Sequence, residues 1–196
     1  SLFCDVPLEA VVSAPDARSI YEIPLALEDQ GLTDYLLKKL GIETKGRDLK
    51  EWKGFIDRML NPTESVKIAC VGKYTNLADS YMSHHEALSH SGAALGTRVI
   101  MKFFDSEKIE TDGITDELRS CNGILIPGGF GSRGIEGKIL AARYARENNV
   151  PFLGVCLGFQ IATIEIARDI LGLNEAHTTE IDPNTPHPVI DLLPEQ

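Results

Sequence analysis

One cysteine set between two glycines, Gly154-Val155-Cys156-Leu157-Gly158, carries the strongest chemical signal in this sequence. The spacing is the cysteine form of a nucleophile elbow, whose glycines permit a sharp strand-to-helix turn and close approach of the helix to the strand. A sulfur held there projects at the carboxyl edge of a sheet. The amides of the next helix's first turn, and its dipole, then face the sulfur and favour its ionised, nucleophilic form. The competing reading is an inert core thiol, since free cysteine is among the most buried residue types. The apolar run before Cys156 and the helix-forming run over residues 159–171 after it favour the nucleophile.

A thiolate that attacks an acyl carbon creates a tetrahedral oxyanion, which needs donors already in place. The amide after the nucleophile, that of Leu157, is one. The run Pro127-Gly-Gly-Phe-Gly131 ends the preceding strand and offers a glycine amide, Gly129, as the second. Alone, Pro-Gly-Gly is a tight turn; beside the elbow it reads as a pocket wall. A base is harder to find. His84-His85-Glu86 spells His-x-Glu but falls inside a helical pattern shared with His90, while His177 and His187 fall in C-terminal loops.

The elements that must position these groups alternate. Strands are expected over residues 66–71, 97–104, 123–126 and 150–155, with helices over 79–95 and 136–148. That order implies an α/β fold, a mostly parallel sheet flanked by helices on both faces, with ligands at the carboxyl ends of the strands. Residues 1–12 look strand-like, and residues 24–40 form one or two amphipathic helices. Residues 43–65 read as a linker with a short helix, Trp52 packing back on a domain. Asp182-Pro-Asn-Thr-Pro-His-Pro188 is an extended loop, and the apolar strand begun at residues 189–193 makes the chain look cut at its C-terminus.

A length of 196 residues with 43% hydrophobic and 24% charged residues is ordinary for a globular protein, with core enough for one large domain or a domain plus an appendage. A formal charge of -10 argues against a nucleic-acid surface, and no apolar run is long enough to cross a membrane. With no signal peptide at the start, the expected location is cytoplasmic. Cys4, Cys70, Cys121 and Cys156 are too far apart in sequence for a zinc or dithiol motif, so reduced thiols and no metal site are expected.

The two glycine motifs together resemble the class I glutamine amidotransferases, and among them the glutaminase half of the CTP synthase family. The residues that carry the resemblance are Pro127-Gly-Gly-Phe-Gly-Ser-Arg-Gly-Ile-Glu-Gly-Lys138, Pro151-Phe-Leu-Gly-Val-Cys-Leu-Gly-Phe-Gln160, Val71-Gly-Lys-Tyr74 and Thr178-Thr-Glu180. Ser1-Leu-Phe-Cys-Asp-Val6 and Ser19-Ile-Tyr-Glu-Ile-Pro24 are similar to the closing segments of that family's synthetase domain. The resemblance implies a flavodoxin-like three-layer amidotransferase domain over residues 66–196, incomplete at its end. It also implies a linker over 43–65 and a piece of the ATP- and UTP-binding synthetase domain over 1–42.

It further implies that Cys156 attacks glutamine to release ammonia through a glutamyl thioester, with Gly129 and Leu157 holding the oxyanion. Gln160 and Glu180 would hold the amino-acid head group, and Phe130, Gly158 and Phe159 would shape the slot. Otherwise Glu180 is an exposed loop acid. GTP, the family's activator, would lie near Arg133, Gly134 and Glu136; a solvated arginine is the other reading of Arg133. ATP with magnesium would phosphorylate UTP in the synthetase half, and ammonia would then give CTP. Asp16 and Ala17 match a stretch beside that nucleotide, or form a plain surface loop. The family also implies a homotetramer.

The sequence departs from the pattern in one respect: no His-x-Glu element follows Cys156. Lacking that base, this piece alone is expected to lose about a thousandfold or more of its rate. Two other readings are an intracellular cysteine hydrolase of the same architecture and a catalytically inactive binding or regulatory module.

Overall fold

The computed structural model describes residues 5–44, 46–73 and 78–193. Cys4 and Tyr74, and the first residues of the N-terminal motif, lie outside the described residues. The strands are β1 (Glu64–Gly72), β2 (Thr97–Asp105), β3 (Gly123–Ile126), β4 (Phe152–Gly154), β5 (Ala176–Thr178) and β6 (His187–Ile190). The helices are α1 (Ile23–Asp29), α2 (Leu32–Leu40), α3 (Lys50–Leu60), α4 (Met82–Leu95), α5 (Ser106–Asp112), α6 (Asp116–Arg119), α7 (Ile135–Glu147) and α8 (Leu157–Asp169).

Successive residues of β1 point to opposite faces, as the two-residue period of a strand requires. Ala69 and Val71 join Ile124 and Ile126 of β3 beneath Ile109, Ile135, Ile139, Leu157, Ile161 and Ile164. Ile68 and Cys70 join Leu125 on the other face, against Leu88, Tyr81, Met101 and Phe103. One face is thus covered by α5, α7 and α8, and the other by α4. The expected cover on both faces is incomplete over β4. Leu153 and Val155 are 55% and 37% exposed there, because α4 packs over the β1 and β2 side of the sheet.

All four central strands are parallel, in the order β2-β1-β3-β4. The chain leaves β1 for β2 on one side and returns to β3 on the other, so the switch point lies between the carboxyl ends of β1 and β3. Open α/β sheets bind ligands at such a point.

Two expectations change. Leu8–Ala10 is a 3-10 turn, and no strand occurs in the described part of residues 1–12. Pro7 precedes it, and no neighbouring strand offers ladder partners. His177 and His187 lie in paired strands instead of loops: β5 and β6 run parallel with Ala176 opposite His187. The intervening loop turns back because Thr185 Oγ1 donates to the carbonyl of Glu175 at 2.6 Å. The short helix expected within residues 43–65 is α3, of eleven residues.

Trp52 of α3 does pack back: its Nε1 donates to the Tyr21 carbonyl at 3.1 Å, and its ring stacks on Phe55. Tyr21 in turn donates through its hydroxyl to Glu86 of α4 at 2.6 Å. This bond is the main reason the Glu86 carboxyl sits below its ordinary range. His84-His85-Glu86 is therefore a helix face that anchors the N-terminal segment.

Candidate active site

Cys156 stands between β4 and α8 with φ 53° and ψ -108°, a left-handed conformation that costs a non-glycine residue on the order of 1–3 kcal/mol. The surrounding contacts enforce it. A Cβ on Gly158 would lie 2.0 Å from the carbonyl oxygen of Ile126, and one on Gly154 would lie 2.4 Å from that of Gly158. Only hydrogen at both places lets α8 start this close to β3 and β4. Val155 N–H donates to Ile126 O at 3.0 Å, and Gly158 N–H to Val155 O at 2.9 Å, fixing the corner on both sides. The cysteine is exposed, which removes the reading of Cys156 as a buried core thiol.

The loop after β3 lies directly against this corner. The position of a Cβ on Gly128 is 3.5 Å from Cys156 Cβ, and that on Gly129 is 3.6 Å from Leu157 Cδ2. Among the described residues, neither Gly129 N–H nor Leu157 N–H donates to a backbone carbonyl. Two unspent amides beside an exposed sulfur at a helix N-terminus can stabilise negative charge on an oxygen bonded to the attacked carbon. Phe159 N–H and Gln160 N–H are spent on Cys156 O, at 3.0 and 3.2 Å. Phe130 and Phe159 are 81% and 64% exposed, placing them at the rim and not in the core. The Gln160 side chain is half-buried, and Glu180 is exposed in the turn after β5, its N–H donating to Thr178 Oγ1 at 3.3 Å.

Behind the same loop lies a cavity of about 60 Å³ lined by Gly72, Lys73, Tyr81, Pro127, Gly128, Gly129, Phe130 and Lys138. It occupies the switch point between β1 and β3. Lys73 Nζ donates to Phe130 O at 2.7 Å and Gly131 O at 3.4 Å, pinning the far end of the loop. Lys138 is 2% exposed. Burial, reinforced by the charge of Lys73 and opposed by Glu110, pulls its amine down from 10.5 to about 8. Neither lysine stands out in the sequence as a site residue. The available signal was the position of Lys138 three residues after Ile135, on the buried stripe of α7.

That buried charge has a measurable consequence. Between about pH 8 and 10.5 the folded chain has lost a proton that the unfolded chain retains, so stability rises with pH across that window. Below it the charged form remains at a cost on the order of 3 kcal/mol. Lys138→Met is expected to be more stable than the parent chain at pH 7 by about that amount. The gain should shrink as pH rises through the window. Urea unfolding at neutral and alkaline pH measures both.

The residues near the start of α7 have structural partners. Gly134 (φ 70°) and Gly137 sit against Ser106, where a Cβ would come to 2.1 Å from Oγ and 1.9 Å from O respectively. Glu136 accepts both its ion-pair contacts from Arg168, at 2.9 and 3.0 Å. Arg133 pairs with Glu107 at 3.0 Å and is exposed. Glu110 Oε1 accepts from the amides of Glu136 and Gly137, so this helix N-terminus already faces a carboxylate.

Asp16 and Ala17 are exposed on irregular chain. Among the described residues no cluster of three His, Cys, Asp or Glu could hold a metal, and the sequence has no Gly-x-x-x-x-Gly-Lys-Ser/Thr run. Among the described residues no site for ATP with magnesium is formed. His177, in β5, accepts from Thr178 N–H at 2.9 Å, and burial lowers its pKa. No helix among the described residues is long and apolar enough to cross a membrane.

Comparison with known proteins covers the same part of the chain. The family described as glutamine amidotransferase class-I matches residues 76–189, more than half of the chain and all of the elbow and glycine loop. The chain belongs to the class I glutamine amidotransferases. A second family, described as CTP synthase N-terminus, matches residues 1–42. Over 196 residues the chain is 52% identical to the CTP synthase of Thermococcus kodakarensis, a match that covers 100% of this chain and 37% of that protein. To the CTP synthase of Methanosarcina acetivorans it is 54% identical over 197 residues, with the same two coverages. The chain thus spans a little over a third of the length of these relatives.

Among solved structures, the glutaminase domain of Trypanosoma brucei CTPS with bound acivicin matches with a TM-score of 0.61 and 40% identity, covering 66% of this chain and 50% of that one. The parallel sheet with its flanking helices is the amidotransferase fold that the sequence motifs implied.

Proposed function

We infer that this chain is the glutaminase portion of a CTP synthase together with the end of its synthetase domain. The division is residues 1–42 for the synthetase piece, 43–65 for the linker and 66–196 for the amidotransferase domain. The observation that carries the reading is the strained Cys156 corner, held by two glycines that tolerate no Cβ and lying beside the Gly129 loop and Leu157, whose amides donate to no backbone carbonyl among the described residues. The length and identity of the match to CTP synthases support the choice within the family.

In this reading the Cys156 thiolate attacks the side-chain carbonyl carbon of glutamine, and the oxyanion is held by the two amides. The carbon–nitrogen bond breaks as the nitrogen takes a proton and leaves as ammonia. Water then cleaves the glutamyl thioester to glutamate, restoring the thiol. Gln160 and Glu180 hold the head group, the carboxylate of Glu180 accepting from the substrate's ammonium. Phe130, Gly158 and Phe159 bound the slot. Arg133, Gly134 and Glu136 form the GTP-responsive element, Arg133 and Glu107 being a surface pair that an anionic ligand can exchange.

Ammonia passes to the synthetase half, where ATP and magnesium activate UTP to yield CTP. The assembled enzyme is a cytoplasmic homotetramer. The test is to supply the protein, at the full length of its relatives, with ATP, magnesium and UTP, and to measure CTP formed from glutamine and from ammonia. CTP from both nitrogen sources is expected, with GTP stimulating only the glutamine reaction. No CTP from either source overturns the assignment.

A further inference from the structure

Residues 1–42 and residues 76–189 match different families, so the contacts that join them set how one half of the proposed enzyme sits against the other. Among the described residues, every hydrogen bond, ion pair and ring contact between residues 1–42 and the domain from residue 66 onward runs through Tyr21. Its hydroxyl donates to Glu86 Oε2 at 2.6 Å, which commits the one proton that a tyrosine hydroxyl has. His90 Nε2 meets the same oxygen and is therefore the donor of the second bond. Glu86 and His90 are four residues apart and share one face of α4.

The Tyr21 ring stands edge-on to His90, with centroids 5.1 Å apart, and edge-on to Trp52 and Phe55 of α3. Trp52 Nε1 holds the Tyr21 carbonyl, and α3 is itself tied to α4 by Arg58 Nε, which donates to Ala93 O at 3.0 Å. One side chain thus meets the N-terminal segment, the linker helix and the amidotransferase domain. Close packing does not fix this junction, because a hollow of about 900 Å³ runs along it, lined by Tyr21, Trp52, Phe55, Arg58 and His90 among others. Interfaces between domains of one chain move unless they are large and apolar, so the placement here depends on a few directed bonds.

We propose that Tyr21 is a positioning residue for ammonia transfer: by bonding Glu86 and His90 it holds the end of the synthetase domain where ammonia released at Cys156 reaches the synthetase site before it escapes to solvent. This rests on the CTP synthase reading of the chain. Tyr21 bonds to no residue of the Cys156 corner or of the Gly129 loop, so glutamine hydrolysis itself should survive its loss.

The experiment uses the full-length enzyme and three rates from one preparation: glutamate formed from glutamine, CTP formed from glutamine, and CTP formed from added ammonia. Tyr21→Phe keeps the ring and loses the hydroxyl. Its yield of CTP per glutamate should fall at least about threefold below the parent, since a small misplacement far from the chemistry is enough to spoil a transfer. Glutamate formation and CTP from ammonia should each stay within about twofold of the parent, because neither needs the two halves in register. Glu86→Gln keeps an acceptor for the hydroxyl and should retain most of the coupling, whereas Glu86→Leu should lose it. Both residues act through one bond, so Tyr21→Phe combined with Glu86→Leu should lose no more than the larger single loss.

An unchanged yield of CTP per glutamate in both Tyr21→Phe and Glu86→Leu overturns the inference. So does a parallel fall in all three rates, the signature of a tyrosine that merely supports folding. A double variant whose loss is the product of the two single losses also overturns it, because the residues would then act separately. If the parent enzyme makes no CTP from either nitrogen source, the CTP synthase reading fails. If the parent couples the two reactions and the variants couple them equally well, only this inference fails.

Discussion

Cys156→Ser is expected to reduce glutamine-dependent CTP formation by at least about a thousandfold in the full-length enzyme, while synthesis from ammonia stays within about twofold. The substitution replaces one atom at an exposed corner, so it alters no core packing and leaves the φ 53° conformation to the same flanking glycines. What it removes is the nucleophile: a serine hydroxyl at this place has neither the ionisation nor the polarisability of a thiol. The ammonia arm makes the result specific. Equal losses with both nitrogen sources would mean that Cys156 supports the fold or the synthetase half and does not attack glutamine.

Gly158→Ala should have the second largest effect, for a different reason. Its new methyl would meet backbone, the oxygen of Ile126 at 2.0 Å and its carbon at 2.9 Å, and neither can rotate out of the way as a side chain could. The first turn of α8 must lift off β3, carrying Leu157 N–H and Cys156 with it. Overpacking of this kind costs about 3 kcal/mol or more, or roughly 6–12 °C in melting temperature for a chain of this size. Glutamine hydrolysis should fall at least tenfold in whatever remains folded. Gly54→Ala is the matched control: it lies inside α3 with only the Arg58 guanidinium 3.4 Å away, and alanine there should stabilise by up to about 1 kcal/mol. If both substitutions behave alike, the close approach at Gly158 does not hold the elbow.

The parts of the fold legible in the sequence are those with a strong local pattern. β1, β3 and α7 were visible from apolar runs and periodicity, and the elbow from glycines whose spacing has few other uses. α5 was not visible, because Ser106-Glu-Lys-Ile-Glu-Thr-Asp112 is polar apart from Ile109. It is helical through the Asp105 cap on Glu107 N–H and the burial of Ile109 against α7, which only the tertiary structure supplies. β5 was not visible, and β6, expected from residue 189, begins at His187 and pairs with it across a loop held by Thr185, a contact without a sequence signature. Lys138 escaped notice for a general reason. A lysine on a helix is normally solvated, and its burial follows from where α7 lies over the sheet.

The central claim is that Cys156 is the group glutamine meets. The direct measurement is to treat the full-length enzyme with a diazo-ketone analogue of glutamine and map the adduct by peptide mass spectrometry. The sulfur should displace nitrogen gas to form one thioether per chain on Cys156, and added glutamine should slow the labelling in proportion to its occupancy of the site. An adduct on any other residue, or labelling of Cys156 that glutamine does not slow, would contradict it.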